Sequence, residues 1–374
     1  MGVFGYLPPP VRCEPLAEMA ARFGGSVTER GREPLVHAHS YALPSRAPEE
    51  LMRYFSALQT VEPGPELIAR LPGGRVYGSG IVLAPDGSSL ARDVSPDFGS
   101  SPYGHWLQTY DRIRPPVRIE GAVAVIAVNL GSGYAHWLLE ELPRLLVLAP
   151  EERRSLIAHG GASFIDDAFA FAFGESGNPL SSRVARVGRH THFECEQLIV
   201  LGLVGRPGEP TPRVVELLSE FTAPLRRETG MTPSAHGERL YITREGAARR
   251  RVTNEGALWP KLEARGFQKL RLETLSWTEQ INAFAQAREI VAPHGAGLAN
   301  LVFCQPGTRV VEFFNRAYVN PYFWRLAALA GLDYRPVVSR APADDDTPPT
   351  CTREAGRLDI EADIGEVIHA LNAG

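Results

Sequence analysis

From about residue 118 onward, apolar and polar positions come in blocks that predict alternating strands and helices. Ala122 to Val128 (AVAVIAV) is an unbroken run of small apolar residues, the pattern of a strand buried on both faces. Gly131-Ser132-Gly133 ends that run, and a helix is predicted from about Ala135, with another near 165–172 and a strand over 196–202. A Pro/Gly-rich stretch, Gly205-Arg206-Pro207-Gly208-Glu209-Pro210, then reads as a linker. Thr211 is placed to cap the next helix, with Pro212 at its first position.

Beyond the linker the alternation sharpens. Residues 239–243 (RLYIT) read as a strand, and Asn254 is expected to cap a helix that Gly266 ends. Residues 268–272 form the next strand, and Ser276-Trp277-Thr278-Glu279 is a capping box opening a helix through Ala287. Strands follow over 289–292 and 309–313, separated by a Gly-rich turn and a short helix. Repeats of this length predict an α/β fold with parallel sheets and helices on both faces. The first hundred residues read instead as short strands and turns, with a hairpin over 75–92 around Pro85-Asp86-Gly87. At the other end Ile360, Ile364, Val367, Ile368 and Leu371 recur with helical spacing, predicting an amphipathic helix.

The length of 374 residues suits two domains, divided at the linker into 1–210 and 211–358, with a terminal segment at 359–374. A net charge of −4 gives no reason to expect nucleic acid as a partner. All but two of the 39 basic side chains are arginine, the exceptions being Lys261 and Lys269, so an arginine cluster is not by itself a phosphate signal. The four cysteines are far apart, without metal-ligand spacing, and fit a reducing compartment. No run approaches the roughly 18 apolar residues of a membrane span. The start, Met1-Gly2-Val3-Phe4-Gly5-Tyr6, lacks a secretory pattern and the Ser/Thr that myristoylation prefers, so a cytoplasmic location is expected.

In open parallel sheets ligands collect beyond the carboxyl ends of the strands. The loops after Val128, Thr243, Ala292 and Phe313 are therefore the ones to inspect. The strongest signal is Pro293-His294-Gly295-Ala296-Gly297-Leu298-Ala299-Asn300, where two glycines let backbone approach a ligand and a helix start favours an anion. A turn that needs glycine for its conformation is the competing account. Arg244 ends a strand, with Arg250 and Arg251 close behind, and a guanidinium fork suits a diphosphate. Solvated arginines are the alternative for the latter two. Glu312 presents two acceptor oxygens suited to a ribose diol, or is an ordinary strand-end carboxylate.

In the first half His136, Glu140 and Arg144 share one helical face. A His with a carboxylate one turn away is a workable general-base pair, although Pro143 should kink the helix. A Glu140–Arg144 ion pair with His136 as a capping residue is the structural alternative. Asp344-Asp345-Asp346 lies in a Pro-rich loop without the flanking order that fixes a carboxylate metal site, so no metal ligand is assigned.

Taken in order, six stretches resemble glycosyltransferase family 61. They are residues 134–145 (YAHWLLEELPRL), 240–244 (LYITR), 250–255 (RRVTNE), 275–281 (LSWTEQI), 293–300 (PHGAGLAN) and 306–313 (PGTRVVEF). The likeness covers roughly 75–315 and is strongest over 239–314. It implies a GT-B architecture, two Rossmann-like domains facing a central cleft, with the nucleotide sugar held by the second domain and the terminal helix at 359–374 packing back on the first. It also implies inversion at the anomeric carbon, without an essential metal or other cofactor.

On this reading His136 or Glu140 is the base, and the sequence leaves the choice open. Arg244, Arg250, Arg251, His294, Gly295, Ala296, Gly297, Asn300 and Glu312 form the donor site. The resemblance favours UDP and, together with the composition, points to bacterial members acting in surface polysaccharide synthesis. The implied partners are a nucleotide sugar and a glycan or lipid-linked glycan acceptor, reached by peripheral membrane association. Two other classes compete: a nucleotide-sugar 2-epimerase of the same architecture, and a non-catalytic nucleotide-sugar-binding protein.

Overall fold

The computed structural model describes residues 6–29, 39–61, 66–97, 105–174, 183–229, 235–339, 351 and 354–372. The acidic run at 344–346 lies outside them. The chain divides into two compact units, Met1–His37 with Pro63–Pro207, and Ala38–Glu62 with Gly208–Gly374.

The first unit is built on a ten-stranded mixed sheet. At its centre the Val117–Val125 strand runs parallel to Leu156–Ala158 on one side and to His192–Leu201 on the other, with Val184–Arg186 beyond Leu156–Ala158. Numbered in chain order these four lie 4-1-2-3, so the winding direction reverses between Val117–Val125 and His192–Leu201. Beyond that point the pairing is antiparallel, Leu67–Pro72 and Arg75–Tyr77 both pairing with His192–Leu201 and Ile81–Leu83 and Ser89–Ala91 extending it as a meander, until the edge strand Arg12–Glu14 pairs parallel with Ser89–Ala91.

The parallel strands expected of the first domain are present at the centre of this sheet, and the short strands and turns of the N-terminal segment add an antiparallel part. Short connections permit only antiparallel returns, whereas a parallel return needs a crossover. The predicted hairpin turn is present, with the Ser88 amide donating to Asp86 Oδ1 at 2.9 Å. The core here collects Val123, Val125, Ile157, Leu198 and Val200 from the parallel strands, and Val76 and Val82 from the meander.

The second unit carries a five-stranded, wholly parallel sheet. Its order is Gln268–Leu270, Arg239–Ile242, Glu289–Pro293, Arg309–Phe314, Asp333–Val338, or 2-1-3-4-5 in chain order. The winding therefore reverses between Arg239–Ile242 and Glu289–Pro293. The Trp277–Gln286 helix opens with the predicted capping box, Ser276 N donating to Glu279 Oε2 at 2.7 Å and Glu279 N to Ser276 Oγ at 3.3 Å. Gly266, at φ 79°, ends the Glu255–Glu263 helix as expected. Asn254 does not cap that helix. Its side chain instead brackets the backbone of Ala362, donating to O at 2.8 Å and accepting from N at 2.9 Å.

The terminal helix Ile364–Asn372 buries Val367 and Leu371 in the core of this unit, beside Val311, Phe313 and Val337. Its expected return to the first domain is corrected by this packing: its apolar stripe covers the last strands of the second sheet, each buried side chain contributing about 1.5–3 kcal/mol. The linker breaks near the predicted place, between Pro207 and Gly208, but the domain limits change elsewhere. Residues 38–62 belong to the second unit because Phe55, on the Glu49–Ala57 helix, stacks on Trp324 at 4.6 Å, and Arg316 forks onto Glu50 with two 2.6 Å bonds.

Candidate functional site

In the second unit Arg244 follows the Arg239–Ile242 strand, and His294 follows Pro293 of the neighbouring strand. Both thus stand at the carboxyl ends of the two strands between which the winding reverses, the place where open α/β sheets bind ligands. Arg244 is anchored by its own loop, Nε donating to Arg250 O at 3.2 Å and Nη2 to Arg249 O at 3.1 Å. Its remaining nitrogen, Nη1, lies over Gly295, where a Cβ would collide with it. Burial lowers the guanidinium pKa to about 10, assisted by the charge of Arg250. A cation held partly out of water beside a second cation is a strong site for an anion.

The Ala296–Phe303 turn starts just past Gly295, and its first backbone bond is Leu298 N to Gly295 O at 3.0 Å. The amides of Ala296 and Gly297 precede that ladder, as the first donors of any helical turn do. Gly297 is further constrained by packing, since a Cβ there would meet Leu272 Cδ1 at 2.5 Å. Gly295→Ala is expected to fold, because the clash is with the end of an arginine side chain that can swing aside once its two loop bonds are given up. Displacing that guanidinium should weaken anion binding about tenfold, through the loss of a charge-assisted contact. Isothermal calorimetry with a nucleoside diphosphate, alongside a melting curve, checks both parts.

His294 is buried, its ring packed among Phe314, Tyr318 and Phe323 at 5.3–5.4 Å. Its Nδ1 bonds Glu312 Oε1 at 2.6 Å, and Tyr334 donates its hydroxyl to Glu312 Oε2 at 2.5 Å. Desolvation pulls the imidazole pKa below its ordinary value; Glu312 opposes that, while Arg250 and Arg244 reinforce it. Arg250 has a left-handed backbone (φ 55°), donates Nη1 to Gly356 O at 3.2 Å and sits 5.5 Å from the Tyr318 ring centre.

Three predicted donor residues have other occupations. Glu312 is 0% exposed, with both oxygens engaged inside the protein, so it supports His294 rather than a ribose diol. Asn300 is fully buried and donates Nδ2 to Gln280 Oε1 at 3.0 Å and Gly297 O at 3.1 Å, bracing the turn from behind. Arg251 turns to Asp359, its N and Nη2 donating at 2.9 and 3.0 Å, and is not brought to the others. Tyr334 escaped prediction because its strand, DYRPVV, lacks a clean apolar pattern: Arg335 is buried there by bonds to Asp333 and Ala370 O.

In the first unit the loop after the Val117–Val125 strand leads into Tyr134–His136, again at the reversal of winding. His136 Nδ1 bonds Glu140 at 2.9 Å, with the His side chain 25% exposed and the Glu 3%. The helix then widens into a five-residue π turn, Trp137–Glu141, before resuming at Leu142–Val147. Pro143 explains the widening, because a proline withholds the amide that the tighter ladder requires. The expected kink is thus absorbed, and no Glu140–Arg144 ion pair forms. Arg144 is instead fully buried, donating to Ile126 O, Ala127 O and Leu201 O at 3.2, 2.9 and 2.6 Å. It ties together the ends of the two strands at the reversal.

The same π turn buries Glu141, whose oxygens accept from His159 N at 2.8 Å, bond His159 Nδ1 at 2.7 Å and accept from Val128 N at 3.3 Å. Gly131 is obligatory here, since a Cβ would collide with Glu141 Oε2. The preceding Leu130 adopts φ 67°, a costly conformation for a branched side chain and one that clusters at functional sites. Neither Glu141 nor His159 was singled out from sequence, because the π turn that buries Glu141 beside Glu140 leaves no periodic signal.

Each unit thus brings polar side chains together where its parallel strands reverse, the place where open α/β sheets bind ligands. Residues 134–311 match the family model described as Glycosyltransferase 61. A beta-1,2-xylosyltransferase (RCN11) of Oryza sativa subsp. japonica is 26% identical over 174 residues, 40% of this chain and 32% of that protein. A beta-1,2-xylosyltransferase of Arabidopsis thaliana is 33% identical over 63 residues, 17% of this chain and 12% of that protein. The chain thus spans about a third or less of the length of these relatives. These likenesses make the chain similar to glycosyltransferases, and the matched segment, a little under half of the chain, holds His136, Glu140, Arg244 and His294. Both relatives are plant enzymes, and nothing in the comparisons supports the bacterial character expected above. Among the described residues no helix is long and apolar enough to cross a membrane.

Proposed function

We propose that the protein is an inverting glycosyltransferase that binds a nucleotide-diphosphate sugar through its second unit and transfers the sugar to a hydroxyl of a glycan or glycoconjugate. The observation that carries this reading is the Arg244 guanidinium lying over Gly295 beside His294, at the strand reversal of the parallel sheet. An acceptor oxygen attacks the anomeric carbon as its bond to the diphosphate oxygen breaks, and the acceptor proton passes to His136 or Glu140. Arg244, His294 and the Ala296 and Gly297 amides stabilise the charge that develops on the leaving diphosphate, with no metal required. The finer reading is a GT-B enzyme that uses a UDP-sugar, works in the cytoplasm on a surface-polysaccharide or lipid-linked acceptor, and associates peripherally with membrane. The two named relatives support a pentosyl donor as the first to try.

The test is a thermal-shift panel of UDP, GDP, CMP and dTDP with EDTA present. A nucleotide at about a hundred times its dissociation constant stabilises by roughly 2.7 kcal/mol, several degrees for a unit of this size. One nucleotide standing out supports the site and its independence of metal. Silence from all four, persisting with Mg²⁺, counts against the diphosphate reading of Arg244 and His294. Conversion of a nucleotide sugar into a new one without acceptor would instead make the protein an epimerase.

His136→Ala and Glu140→Gln are expected to lower turnover by about a hundred- to ten-thousandfold, the usual contribution of a positioned base. Nucleotide affinity should stay unchanged, because these groups belong to the first unit. Steady-state kinetics beside calorimetry separates the two effects, and the variant with the deeper loss identifies the base.

A further inference from the structure

Buried hydrogen bonds from Tyr334 to Glu312 and between Glu312 and His294 end at a ring nitrogen beside two arginines. We propose that Tyr334 and Glu312 are positioning residues that hold His294 ready to take a proton from solvent at Nε2 as a diphosphate binds, so that the diphosphate is gripped by an imidazolium. This rests on the donor-site reading above and adds to it a residue, Tyr334, and a proton.

Glu312 is fully buried and its oxygens are divided, Oε2 accepting from the Tyr334 hydroxyl at 2.5 Å and Oε1 facing His294 Nδ1 at 2.6 Å. Burial and the neighbouring carboxylate push the Tyr334 hydroxyl pKa well above its ordinary value, so it stays a donor. In the proposed arrangement Glu312 accepts from both partners, and Nδ1 of His294 carries hydrogen. The proton that comes and goes is therefore the one on Nε2. Phe314 stacks on the imidazole, Tyr318 meets it edge-on and Phe323 lies tilted against it, and this packing keeps the ring from turning over.

Every charged or titratable group recorded around this ring takes a side. Glu312, on the adjacent strand, favours the imidazolium; Arg244, Arg250 and desolvation disfavour it, and the balance leaves the pKa below its ordinary value. Tyr318 meets the ring edge-on at 5.4 Å. A bound diphosphate cancels the two arginine charges and adds an acceptor, so the bound pKa exceeds the free one. The sign follows: affinity gains from protonation below the bound pKa and loses it as pH rises, by up to about tenfold per pH unit. On release of the nucleoside diphosphate the proton returns to solvent.

The test uses the full chain and UDP-xylose, whose diphosphate diester has no ionisation near neutrality, in calorimetry at pH 7.5 in Tris and in PIPES. Wild type should take up a substantial fraction of a proton per ligand, approaching about one. Glu312→Gln keeps the shape but removes the charge, and should abolish the uptake and weaken binding about tenfold. Tyr334→Phe should lower turnover more than affinity and narrow the pH range of activity, a pattern that a purely structural loss would not give. Tight binding without proton uptake, or equal uptake in Glu312→Gln, overturns the proposal. Should UDP-xylose and the nucleotides of the panel all fail to bind, the donor-site reading has failed. The histidine network is then judged separately by nitrogen NMR of the free protein, with the His294 signal assigned by His294→Gln. A ring titrating below the ordinary range, and lower still in Glu312→Gln, supports the network; equal titration in both overturns it.

Discussion

Arg244→Ala is expected to lose nucleotide binding and sugar transfer together. Its guanidinium has two nitrogens spent on the carbonyls of its own loop and the third over Gly295, so the charge is fixed before any ligand arrives. Preorganisation of that kind costs nothing at the moment of reaction, which is why removing one such donor usually lowers turnover by about a hundred- to a thousandfold. Nucleotide affinity should fall by about ten- to a hundredfold, the worth of a hydrogen bond to a charged group. Arg244→Lys should restore little, since an ammonium cannot keep both carbonyl bonds and still lie flat on the glycine. Calorimetry and single-turnover transfer measure the two losses. Undiminished nucleotide affinity in the alanine variant would remove Arg244 from the site.

The second large effect concerns stability. Arg144 is 1% exposed, carries a pKa lowered to about 10 by burial, and donates to three backbone carbonyls at the strand reversal. Arg144→Met fills much of the volume but leaves Ile126, Ala127 and Leu201 oxygens unsatisfied and Glu141 without its countercharge. A cost of about 3 kcal/mol or more follows, a fall of roughly 6–12 °C in the melting point of the first unit. Differential scanning calorimetry reads it directly. A fall below about 2 °C would mean that water replaces the guanidinium without loss, and that the reversal is held by other contacts.

How much of this was legible beforehand depended on whether a local rule was in play. The second sheet was: strands 239–242, 289–293 and 309–314 announce themselves by apolar runs, and Ser276 with Glu279 formed the capping box their spacing demands. Arg244, His294 and Gly295 lie at the strand ends their sequence positions indicate, because loops after such strands are few. What failed was whatever depended on partners distant in sequence. Glu312 looked available to a ribose until Tyr334 and His294 claimed both oxygens, and Asn254 looked like a cap until Ala362 took its amide. The π turn at Trp137–Glu141 has no period of its own, so neither the burial of Glu141 nor the backbone bonds of Arg144, read from sequence as an ion-pair partner of Glu140, left a local signal. The terminal helix was read correctly as amphipathic, but an apolar stripe does not say which sheet it will cover.

Membership of the Glu49–Ala57 helix in the second unit has a consequence for synthesis. Its Phe55 rests on Trp324, and Glu50 meets Arg316, 266 positions further along the chain. A ribosome adding about 5–20 residues per second needs on the order of 13 s to a minute to cover that interval. Throughout it the helix has left the exit tunnel with its apolar side uncovered, while the first unit, whose last strand ends at Leu201, can already close around the gap that this segment leaves in its sequence.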